Sequence, residues 1–152
     1  MKFIKVPVVK ASLQIIISLS SLGCDQLPKQ IPNDFQLLIE STSIQPGANG
    51  NYSLMIRRTA GNQYELIRNY DNTIRKLILS TYGVQRVYDA VRDANLFKLK
   101  NNYADINVLD GSNTILTVQA NGKTKIITMR NRQPEELKSI ASILREFELE
   151  IK

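Results

Sequence analysis

The chain of 152 residues contains no histidine, no tryptophan and a single cysteine, Cys24. Without histidine there is no Ser-His or Cys-His catalytic pair, and the commonest transition-metal ligand is missing. One thiol leaves no internal disulfide. Glycine and proline are few, at 7 and 5, which excludes collagen-like and low-complexity chains. Residues 11–22 form a mainly apolar stretch, but it is interrupted by Gln14 and falls short of the roughly 20 residues that span a bilayer as a helix. No G-x-S-x-G, Walker or dinucleotide motif occurs, and no cofactor or metal is expected. Against these absences stand 43% hydrophobic and 22% charged residues, a composition and length that suit one domain with a real core.

The first two dozen residues differ from the rest. Lys2, Lys5 and Lys10 make a cationic start with no acid to offset them. Leu13, Ile15, Ile16, Ile17 and Leu19 follow, and the stretch closes on Ser21-Leu22-Gly23-Cys24. A positive start, a short apolar run and a small residue before a cleavage point describe a secretory signal peptide. With the only cysteine at its end, this segment resembles a bacterial lipoprotein precursor, although Ser21 and Leu22 stand where that family usually has leucine and then a small residue. The resemblance implies cleavage after Gly23 and acylation of Cys24 with diacylglyceryl and palmitate-type chains. It implies a protein exported to the cell envelope and anchored in a membrane, on its periplasmic side or at the cell surface. Removing residues 1–23 takes away three lysines and no acid, which lowers the net charge from +6 to +3. That modest surplus argues against nucleic acid and suits an envelope protein or an anionic envelope polymer as partner.

Three segments are expected: the signal peptide at 1–23, the lipidated cysteine and a tether at 24–33, and one domain at 34–152. The tether holds Pro28 and Pro32 and little that would pack. Phe35, Leu37 and Ile39 then alternate with Gln36, Leu38 and Glu40 as a half-buried strand does. Pro46 and Gly47 suit a type II turn. Residues 52–59 and 63–70 form a hairpin around Ala60-Gly61-Asn62. A three-residue loop puts Ile56 opposite Leu66 and Arg57 opposite Glu65, whereas a two-residue loop puts Ile56 opposite Ile67 and Arg58 opposite Glu65; both are chemically sensible. Asp71-Asn72 turns the chain into a strand at 74–79.

The period then becomes helical. Val84, Val87, Tyr88 and Val91 share one face, capped by Ser80 or Thr81, with Leu96 and Phe97 packing beyond its end. Strands at 114–120 and 123–130 flank Asn121-Gly122, the preferred pair for a type I′ turn. Pro134 at the first position opens a last helix whose face is Leu137, Ile140, Ala141, Leu144 and Phe147. The sum is an α+β fold: an antiparallel sheet of about six to seven strands with two helices on one face. The order of elements looks like small uncharacterised domains of secreted bacterial lipoproteins, a likeness that brings no chemistry with it.

Residues 105–111 begin like a calcium loop but place Leu109 and Leu116 where oxygen ligands belong, so they read as a polar turn. Asp89 and Asp93, beside Arg86 and Arg92, read as a solvated helix face. Asn51-Tyr52-Ser53 is a glycosylation sequon that the bacterial resemblance makes irrelevant. Arg57, Arg58, Arg68, Arg75 and Lys76 cluster in the first strands with Tyr52, Tyr64 and Tyr70 interleaved, the composition of a basic, aromatic binding face. The missing His and Cys nucleophile machinery, rather than any positive motif, favours a protein that binds and does not catalyse. The alternatives are a small hydrolase using carboxylates such as Glu40, Glu65, Asp105 and Asp110, and a structural envelope component.

Overall fold

The computed structural model describes residues 26–43, 51–105 and 112–151. Gly23, Cys24, the Pro46-Gly47 turn and Asp110 with most of the calcium-like loop lie outside them. The described residues form β1 (Gln36–Ser43), β2 (Tyr52–Arg58), β3 (Tyr64–Tyr70), β4 (Thr73–Leu79), α1 (Thr81–Asp93), a 3-10 turn (Leu96–Lys98), β5 (Asn102–Ala104), β6 (Ser112–Ala120), β7 (Lys123–Arg130), a second 3-10 turn (Glu135–Leu137) and α2 (Lys138–Glu150). The seven strands make one sheet in the order β4-β3-β2-β1-β6-β7-β5, antiparallel except for β5 beside β7. The fold is α+β. β1 runs through the middle, paired to β2 on one side and β6 on the other.

Turn chemistry sets the register. Asn62 takes φ 60°, and Thr59 and Gln63 close the loop by a backbone bond, so the β2–β3 hairpin has the three-residue loop with Ile56 opposite Leu66 and Arg57 opposite Glu65. Asp71-Asn72 and Asn121-Gly122 both carry positive φ at two successive residues, as two-residue I′ turns require. The second turn places Leu116 opposite Ile127 and Thr114 opposite Met129. β5 has no counterpart among the strands read from the sequence, because three residues are too few to show alternation.

With that register, every buried strand side chain except Glu65 falls on one face, including Leu37, Leu54, Ile56, Leu66, Leu116, Val118 and Ile127. Both helices pack against that face. Tyr88 of α1 stacks edge-on with Phe35 at 5.1 Å, and Glu148 of α2 accepts a hydrogen bond from Tyr52 on β2. Ser80 caps α1 by accepting from the Gly83 N–H at 3.0 Å, and Val84, Val87, Tyr88 and Val91 are all buried. The last helix begins later than Pro134. That residue is extended (ψ 146°), the chain makes a 3-10 turn, and α2 starts at Lys138. The buried stripe adds Ile143 to Ile140, Leu144 and Phe147, while Ala141 is only half-buried.

Residues 26–34 depart from the expected loose tether. They lie along α1 as a strap: Leu27 and Ile31 pack against the core, the Tyr88 hydroxyl donates to the Pro28 carbonyl at 2.8 Å, and Gln85 reaches the Lys29 carbonyl at 3.4 Å. The strap ends at Asp34, whose carboxylate accepts from the Asn121 and Gly122 N–H groups at 2.8 and 2.7 Å. Two apolar residues among prolines were enough to fasten it, since the Pro28, Lys29 and Pro32 carbonyls found side-chain donors on the folded domain.

Candidate functional site

The register divides the arginine and tyrosine set that sequence composition groups together. Successive strand residues point to opposite faces. Arg57 therefore faces away from the helices, where its Nε holds Glu65 at 2.8 Å with Lys76 at 3.8 Å on the other carboxylate oxygen. This trio explains how Glu65 is buried, at 8% exposure, on the open side of the sheet. Arg58 and Tyr64 face the helices and fasten the strap, Arg58 to Asn33 and Tyr64 to the Pro32 carbonyl. Burial raises the Tyr64 phenol above its ordinary range, an effect partly opposed by Arg58. Arg68 and Arg75 are cross-strand neighbours on that face, and Arg68 lies diagonally beside Tyr52. The predicted single basic, aromatic face is thus three separate structures.

A depression of about 770 Å³ adjoins Arg58, Tyr64 and the start of α1, but its main polar groups are already engaged: Arg58 with Asn33, Tyr64 with Pro32, and Ser80 with the helix cap. The second concavity, of about 690 Å³, lies between α2 and the end of the sheet where β1 finishes. Its size suits a small ligand or one unit of a polymer. Ile39, Leu54 and Leu144 give it an apolar floor, and Tyr52, Ser41 and Thr114 add a line of hydroxyls along one register row. Ser41 Oγ and Thr114 Oγ1 are 3.1 Å apart.

Arg132, after β7, and Arg145, on α2, line this groove and make no ion pair among the described residues. Its one carboxylate, Glu148, accepts from the Tyr52 hydroxyl at 2.5 Å. Burial first, and then that carboxylate, push the Tyr52 phenol far above its usual range, while Arg68 pulls weakly the other way. Arg68 Nε is buried with no hydrogen-bond partner among the described residues, as is Arg58 Nε at the strap. The groove therefore offers two uncommitted guanidinium groups over an apolar and hydroxylated floor.

Tyr52 and Tyr70 are the residues of the sequence-based set that line this groove, with Arg68 the diagonal neighbour of Tyr52. Arg132, Arg145 and Glu148 were not singled out from the sequence. They sit outside the apolar stripe of α2 or in a turn, and no periodicity tells which polar flank of a helix will overhang a sheet. Among the carboxylates considered for hydrolysis, Glu40 and Glu65 share the open face but stand two strands and four residues of register apart, about 16 Å. Asp105 lies beyond β5, its N–H bonded to the Arg130 carbonyl. Paired glycosidase carboxylates are ~5–10 Å apart, so Glu40 and Glu65 do not form such a pair. Among the described residues no three His, Cys, Asp or Glu side chains come close enough to hold a metal. No protein-family model matches the chain, and no curated protein matches it.

Proposed function

We propose that this is an exported, lipid-anchored protein of the cell envelope that acts by binding, without catalysis, and that the groove between α2 and the sheet receives an anionic envelope component. The lysine-led apolar run ending in Ser21-Leu22-Gly23-Cys24 supports the anchor. The observation that carries the binding role is the pair Arg132 and Arg145, two cations that make no ion pair among the described residues, at the rim of a ready-made groove. Among the described residues the groove has one carboxylate, Glu148, and it is tied to Tyr52, whereas carboxylate-based hydrolysis uses two.

The test uses the soluble domain from Gln26 onward with three polymers: polygalacturonate for carboxylates, polyphosphate for phosphates and dextran as the neutral control. One polyanion is expected to bind and dextran is not. Arg132→Glu combined with Arg145→Glu should weaken that binding at least tenfold, about the worth of one lost charge-assisted hydrogen bond. Arg57→Glu, on the opposite face, should leave it unchanged. Equal affinity of the double variant and the parent would remove the groove from the account.

A further inference from the structure

We propose that the strap holds the domain flush against the membrane, with the C-terminal end of α1 and the Leu96–Lys98 turn against anionic lipid headgroups; this rests on the anchor reading above. Cys24 precedes Gln26 by two residues, which sets their Cα atoms no more than ~7 Å apart. Gln26 already lies against the domain, in a shallow depression shared with Val91, Arg92, Asn95 and Lys98. From there to Asp34 the strap is fastened by the Pro28, Lys29 and Pro32 carbonyls and by the packing of Leu27 and Ile31. A leash of ~7 Å is short beside a domain about 35 Å across, so an acylated Cys24 brings this corner, and no other, to the bilayer.

The chemistry of the corner agrees. Arg92 is paired with Asp89 at 3.0 Å and Asp93 at 3.4 Å, a trio with one acid in excess. Lys29, Lys98 and Lys100 are exposed and make no ion pair among the described residues, and against that excess acid and Asp25 in the adjoining sequence they leave a net charge of +1. Half-buried Phe97 stands next to Lys98. Clustered lysines near an acyl anchor are attracted to anionic headgroups within a Debye length, and this adds a second signal to the covalent one. The ligand groove is at the other end of β1, so this orientation leaves it open to solvent.

The experiment uses the acylated full-length product in phosphatidylethanolamine–phosphatidylglycerol vesicles. Because acylation blocks Cys24, a fluorophore can be placed on Asp93→Cys or, in a second sample, on Thr73→Cys at the far edge of the sheet. Spin-labelled headgroups should quench the label at 93 several-fold more than the label at 73. A flexible Gly/Ser insertion of about 12 residues between Asp25 and Gln26 should abolish the difference. Equal quenching in a product whose Cys24 is shown by mass spectrometry to be acylated would overturn the orientation alone, as would a difference that survives the insertion. A bare Cys24 thiol would overturn the anchor and this inference together.

Discussion

Tyr52 joins the sheet to α2 through its hydroxyl, which donates to Glu148 at 2.5 Å. Its raised pKa has a definite sign for stability. Below the unfolded phenol's pKa of about 10, both states are protonated and the contribution is complete. Above it the unfolded chain ionises first, so stability is lost as pH rises toward the higher folded value. Tyr52→Phe is expected to cost about 1 kcal/mol at neutral pH and to give a shallower decline in melting temperature between about pH 9.5 and 11.5. Tyr64 and Tyr88, also raised by burial, keep that decline from vanishing. Parallel declines for variant and parent would refute the assignment. At this scale composition grouped Arg57 with Arg58 on one face, whereas strand alternation sends such neighbours opposite ways. Which of them would lie under a helix was not legible, because that depends on where α1 and α2 cross the sheet.

Among the elements, α1 shows how a residue that looks unfavourable earns its place. Glycine weakens a helix, yet Gly83 is buried in the first turn of α1. A Cβ there would lie 3.3 Å from the Phe147 ring of α2 and 3.3 Å from the Ser80 hydroxyl that caps α1. Gly83→Val is therefore expected to destabilise the domain by about 1–3 kcal/mol through overpacking. Phe147→Leu in the same chain should recover part of that loss, and strictly additive denaturant midpoints would show that the two positions do not meet. The helix face and the two I′ turns could be read from the sequence because their periods and residue types are local. The β2–β3 register could not, because Leu66 and Ile67 are equally good partners for Ile56; the backbone of Asn62 decides it. The strap was missed because its fastening depends on donors from α1 and β3, which follow it by tens of residues.

For the whole molecule, the anchor reading makes a prediction independent of the fold. Cys24→Ala should accumulate as an unprocessed or unacylated form, measured by mass shift and by partition into detergent, and a normal mature membrane form would end that reading. The layered α+β architecture followed from runs of strands interrupted by two helical periods. The site did not follow, because its cations come from β7's exit and the flank of α2 and converge only once the sheet is assembled.

The central place of β1 also governs the order in which the molecule can assemble. The β1–β4 meander needs only near neighbours and can pair as soon as Leu79 has been made. The second edge of β1 waits for β6, which begins at Ser112, so a growing chain exposes an unpaired hydrophobic strand during that interval. Folding of this protein should thus be vulnerable to intermolecular strand capture late in synthesis, and truncation before Ala120 should yield aggregates in place of a smaller soluble domain.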